Sequence, residues 1–102
     1  MENPIVQALT QRLVEVAEPQ KIFIVSRKTN NTGKLSSIKL ALIVGEVESI
    51  GELESKIYME VDCRIPYNLV LYRRGKWDEL IEDEQSFAHR IDETGVLIYE
   101  QK

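Results

Sequence analysis

The residues best equipped for chemistry lie at two places, Ser26-Arg27 and Ser37-Ile38-Lys39, on either side of a polar Thr-Asn-Asn-Thr-Gly segment. A serine hydroxyl and a guanidinium both suit a phosphate, the first by a hydrogen bond and the second by a forked, charge-assisted one. Lys39 could add an ammonium to the same anion. Ser26, Arg27 and Lys39 are therefore candidate anion-binding residues. Each also has a plainer reading: a strand-ending serine, a surface arginine, and a lysine at the edge of a cleft or paired with Glu46, Glu48 or Asp62. His89 is the only histidine, so it has no companion for a metal site and reads as a partly exposed helical residue. Cys63 beside Arg64 has the setting of a slightly activated thiolate, but a small buried hydrophobe is the better reading. Arg73, Arg74 and Lys76 form a basic cluster too small to argue for nucleic acid by itself. Trp77 next to them serves either as an interface anchor or as core. Asp78, Glu79, Glu82, Asp83 and Glu84 read as a solvated helical face.

Hydrophobic periodicity predicts the elements that must position these residues. Ile5, Val6, Leu9, Leu13, Val14, Val16 and Ala17 recur at spacings of three and four, which gives a helix over 4–18 with one apolar stripe. Asn3 before Pro4 is its N-cap, and Pro19 stops it. Residues 20–25 then form a strand. From Ser26 to Leu35 the chain is polar and turn-rich, a loop or at most a poor short helix. A second strand over 37–44 alternates, with Ile38, Leu40, Leu42 and Val44 on one face and Ser37, Lys39, Ala41 and Ile43 on the other. A helix over 49–59 buries Ile50, Leu53, Ile57 and Tyr58. A strand follows over 67–72, then a turn at Arg73–Lys76. Trp77, Leu80 and Ile81 mark a short helix or helical turn, and Phe87, Ala88 and Ile91 continue helical spacing to Thr94, with Gly95 as the C-cap of what counts as one helix in the element order. A strand over 96–99 closes the chain. This order predicts one α/β (α+β) domain over 1–102, with a small mixed β-sheet packed with helices.

The order of elements and several local stretches resemble the minimal nucleotidyltransferases of the polymerase-beta-like superfamily, over nearly the whole chain. Ile24-Val25-Ser26-Arg27 stands where that family has Phe-Gly-Ser-Arg, and Ser36-Ser37-Ile38-Lys39-Leu40 where it has Ser-Asp-Ile-Asp-Leu. Phe87 to Ile91 and Thr94 to Glu100 resemble its last helix and strand. The resemblance implies a nucleotidyltransferase fold and vestigial catalytic positions at Ser37, Lys39 and, on the third strand, Asn68. In the family those three positions carry carboxylates that hold two divalent metals for phosphoryl chemistry. Hard cations require oxygen ligands, preferably charged ones. A lysine ammonium about 4 Å from a cation repels it, by about 1 kcal/mol per unit charge product even in bulk water. Val25 also replaces the motif glycine with a β-branched side chain.

What the resemblance implies is a degenerate, catalytically inactive member that acts by binding a protein partner. The family commonly occurs with a small helical partner of the HEPN type, in toxin–antitoxin-like pairs, and self-association is a further expectation. That reading requires no metal and no cofactor. The enzymatic alternative moves a nucleoside monophosphate from ATP to an acceptor and needs Mg2+ with replacement ligands. A third reading is a nucleotide sensor that binds without metal through Ser26, Arg27 and Lys39.

Composition bounds the rest. The chain has 102 residues, 43% of them hydrophobic and 29% charged, enough for a single core. Its net charge is -4, from 17 acidic and 13 basic residues, so no global positive field attracts nucleic acid. No basic leader precedes an apolar core, and no run approaches the roughly 18 apolar residues of a membrane span. A single cysteine fits a reducing compartment. The expectation is a soluble cytoplasmic protein without a membrane partner.

Overall fold

The computed structural model describes residues 3–101; positions 1, 2 and 102 of the expected domain span lie outside them. Four helices and a four-stranded mixed sheet follow the order α1 (Pro4–Ala17), β1 (Lys21–Thr29), β2 (Leu35–Val44), α2 (Ile50–Glu60), β3 (Tyr67–Arg73), α3 (Arg74–Leu80), α4 (Phe87–Thr94) and β4 (Val96–Glu100). The strands lie in the order β3-β2-β1-β4. β2 runs antiparallel to β1 and parallel to β3, while β1 runs antiparallel to β4. Parallel neighbours need a crossover, and α2 supplies it between β2 and β3.

The helix ends follow local chemistry. Asn3 accepts from the Ile5 amide at 2.7 Å, and Pro4 takes the first helical position. The chain leaves α1 through Glu18, held in the left-handed region at φ 47, before Pro19. Ser49 caps α2 by accepting from Glu52 N at 3.1 Å, and Ser86 caps α4 by accepting from His89 N at 3.0 Å.

Two cores lie on opposite faces of the sheet. On one, Val6, Leu9 and Leu13 of α1 and Ile57 of α2 pack against Ile22, Ile24, Ile38, Leu40, Leu42, Val44, Leu69 and Leu71. On the other, Trp77, Ala88 and Ile91 cover Phe23, Ala41 and Ile43. Central β2 is therefore buried on both faces from Leu40 to Val44, as its continuous apolar run anticipates. Fully burying one such side chain contributes about 1.5–3 kcal/mol.

Four expectations are corrected. The polar stretch after Val25 is no helix, and most of it is no loop: β1 runs on to Thr29, and only 30–34 turns. The Asn30 carboxamide oxygen accepts from Thr32 N, Thr32 Oγ1 and Lys34 N at 3.0, 2.7 and 3.0 Å. Gly33 takes φ +81, a conformation that L side chains rarely adopt. This compact turn lets the polar flanks pair as strands, because ladder hydrogen bonds need no apolar side chains. The turn expected at Arg73–Lys76 is the end of β3 and the first turn of α3.

Helical spacing after Trp77 breaks into two helices. Around the adjacent acids Glu82, Asp83 and Glu84 the chain turns, with Asp83 N and Ser86 N donating to Leu80 O and Asp83 O at 3.0 and 2.9 Å. Tyr58 is 42% exposed rather than buried. Its ring stacks on Tyr67 and its hydroxyl accepts from Leu69 N at 2.8 Å, on edge strand β3.

Candidate functional site

β2 positions the site. Ser37 and Lys39 alternate onto the face that carries Ala41 and Ile43, but they lie beyond the helical cover of the second core. Pairing brings neighbours to them from both sides. Across the antiparallel ladder Ser26 faces Lys39, Arg27 faces Ile38 and Lys28 faces Ser37. Across the parallel ladder Lys39 is level with Asn68.

Ser26 reaches that face only because β1 is irregular. The register skips between Ile24, opposite Leu40, and Ser26, opposite Lys39, which leaves Val25 as an extra residue. In a regular strand Ser26 would share the face of Ile24, toward α1. Val25 packs against the second core instead of lining the site.

Ser26, Arg27, Lys28, Ser37, Ile38, Lys39 and Asn68 line one shallow depression of about 240 Å³. All five residues singled out from sequence are thus brought together, and Lys28 joins them. Ser26, Arg27, Lys28 and Asn68 are exposed, whereas Ser37 and Lys39 are half-buried. The Lys39 ammonium lies over the Phe87 ring, 5.1 Å from its centroid. A cation there is attracted by the ring face, worth about 0.5–1 kcal/mol at an exposed site. The expected pairing of Lys39 with Glu46, Glu48 or Asp62 does not occur: among the described residues no acid forms an ion pair with it.

Chemically this is a set of hydroxyls, one carboxamide and cations, suited to an anion. It does not fit a divalent metal, which wants several oxygen ligands, preferably carboxylates. Elsewhere among the described residues, no group of three His, Cys, Asp or Glu is gathered to hold one.

The remaining candidates resolve into structural roles. Arg73 donates to the Val47 and Glu48 carbonyls at 3.0 and 3.1 Å, and Arg74 to Asp78 at 3.0 Å and Gln20 at 3.2 Å. Among the described residues, only Arg74 of that cluster is ion-paired; Arg73 is held by backbone carbonyls, and Lys76 is exposed. Trp77 is core, 1% exposed, between Phe23 and Tyr72 with ring centroids at 5.6 and 5.3 Å. Cys63 is half-buried and packs against the first core.

His89 is more engaged than its sequence context suggested. Nδ1 lies 2.7 Å from the Ile81 carbonyl and Nε2 2.7 Å from Glu93. The Ile81 carbonyl and, opposed by partial burial, the Glu93 and Glu84 carboxylates favour the imidazolium and push its pKa up. Its ring ties the end of α3 to α4.

No helix among the described residues is long and apolar enough to cross a membrane. The chain matches no family model, no curated protein and no solved structure.

Proposed function

We propose that this chain is a nucleotidyltransferase-like protein that no longer transfers nucleotides and acts by binding. The observation that carries the reading is position 39. A lysine sits on the alternate strand position beside Ser37 and level with Asn68, with its ammonium seated on Phe87. Where the resemblance calls for a cluster of carboxylates, the depression offers hydrogen-bond donors and positive charge. Such a site attracts an anion and repels a divalent cation. Its binding partner, by the same resemblance, is a small helical protein of the HEPN type.

A second reading, a metal-independent nucleotide site, is favoured by the lining itself. Ser26, Lys28 and Lys39 share one face of the ladder without a carboxylate among them, so a triphosphate would meet donors only.

Calorimetry with ATP, with and without Mg2+, together with incubation with α-labelled ATP, separates these readings. The expected result is no label transferred and no Mg2+-dependent binding. Mg2+-dependent turnover would overturn the proposal. Metal-independent ATP binding that disappears in Lys39→Ala would select the second reading.

A further inference from the structure

We infer that the β1–β2 hairpin is a nucleic-acid arm, a basic two-stranded ribbon that grips the phosphate backbone of a DNA duplex. The inference goes beyond the binding role proposed above and does not depend on the nucleotidyltransferase resemblance. Between Glu18 and Glu46 the chain contains no acid, while Lys21, Arg27, Lys28, Lys34 and Lys39 lie within it. All 17 acids of a chain with net charge -4 therefore lie outside this segment. The whole-chain net charge therefore conceals a segment whose charged residues are all basic.

Geometry makes the basic segment an arm. β4 pairs with β1 only over Lys21–Ile24, and β3 pairs with β2 only from Ile38 onward. From Val25 to Ser37 the hairpin is thus a ribbon with both edges free. Arg27, Lys28 and Lys34 are exposed, and among the described residues none of them, nor Lys39, is ion-paired. Cross-strand pairing puts Lys28 on the face of Lys39 and Arg27 on the opposite face.

The occupant follows from what the arm has and lacks. Residues 26–34 include no apolar side chain, so the arm has no hydrophobic anchor for a protein interface. They include no aromatic ring either, which removes the stacking platform that single strands use. Cations on both faces of a ribbon suit a groove with phosphates along both walls. The B-DNA major groove, about 12 Å wide, admits a two-stranded β-ribbon, whereas that of duplex RNA is deep and narrow. Five residues from Lys39 to Lys34 span roughly 17 Å at about 3.3 Å per residue. That covers about five phosphates of one strand at 3.4 Å of rise each.

Fluorescence anisotropy of a labelled 20-base-pair DNA duplex tests the arm, titrated with the whole chain between 50 and 200 mM NaCl. Four phosphate contacts give a slope of about -3.6 in log K against log salt, a ~150-fold loss of affinity across that range. Arg27→Ala with Lys28→Ala should lower the slope to about -1.8, a loss of only ~12-fold. Lys56→Ala with Arg64→Ala removes the same charge elsewhere and should leave the slope unchanged. Melting curves within a degree or two of wild type would exclude misfolding of either pair. The inference fails if no duplex binding occurs at 50 mM NaCl, if both pairs change the slope equally, or if single-stranded DNA or duplex RNA binds more tightly. It fails also if the chain alone self-associates at 50 mM NaCl through Arg27 and Lys28, which would assign the arm to the acidic α3–α4 surface of a second copy.

Discussion

Replacing Ser37→Asp, Lys39→Asp and Asn68→Asp together tests whether these three positions converge as a metal site would require. Positions 37 and 39 lie about 6.7 Å apart along β2, and position 68 is one strand spacing, about 4.8 Å, from position 39. Carboxylates about 5 Å apart repel by about 3 kcal/mol at an effective dielectric of 20, and by under 1 kcal/mol in bulk water. Because the depression is shallow and partly solvated, about 2–4 kcal/mol is expected for the set, plus about 0.5–1 kcal/mol for the lost Lys39–Phe87 contact. At about 4–8 °C per kcal/mol for a small domain, the metal-free variant should melt well over 10 °C below wild type. Magnesium at 10 mM, on a site of about 1 mM affinity, returns about 1.4 kcal/mol and so about 6–11 °C. Circular-dichroism melts in EDTA and in 10 mM MgCl2 measure both shifts. If magnesium raises the Tm of the variant no more than that of wild type, the three side chains do not converge, and the correspondence with the nucleotidyltransferase motif is wrong.

Three further outcomes follow from the packing. Trp77→Ala empties the space between Phe23 and Tyr72 and should cost about 3–5 kcal/mol in urea unfolding, while Trp77→Phe keeps a ring against both and costs clearly less. The folded-state pKa of His89 is raised, so its contribution is complete below its ordinary value of 6.5 and is lost as pH rises through the higher folded value. The Tm should therefore fall on going from pH 6 to above pH 7, and His89→Gln should remove that part of the slope; an unchanged slope in the variant would refute the assignment. Gly95→Ala would bring a Cβ within 2.6 Å of the Ile91 carbonyl oxygen, so the junction of α4 and β4 must shift, at about 1–3 kcal/mol by thermal melting. The backbone there is ordinary, at φ -71, so only the close approach demands glycine.

Patterned segments were legible in the sequence because their burial is periodic. The α1 stripe, the alternation of β2 and the Asn3 cap all follow from residue spacing. That Ser37 and Lys39 share a face was legible for the same reason. Ser26-Arg27-Lys28-Thr29 was not read as strand, because its pairing is carried by backbone hydrogen bonds and a local Asn30 turn rather than by buried side chains. The face Ser26 occupies was out of reach, since one extra residue in β1 decides it. Tyr58 was assigned to the core by spacing, yet it works through its hydroxyl at the edge of the sheet. The basic arm left a readable sign, a long stretch without acids, which the whole-chain charge concealed.

The unpaired Val25 has a consequence for how this chain can change. It works as a phase joint: on its core side, Ile22 and Ile24 keep step with the burial of β2, and on its far side the arm keeps its own alternation. Deleting Val25 would make the ladder regular, with Ser26 still opposite Lys39 and Arg27 still opposite Ile38, while Phe23 stayed beneath Trp77. Insertions beyond the joint would alter the arm's reach and leave the packed sheet in step. Length variation in this protein should therefore be tolerated on one side of residue 25 and not on the other.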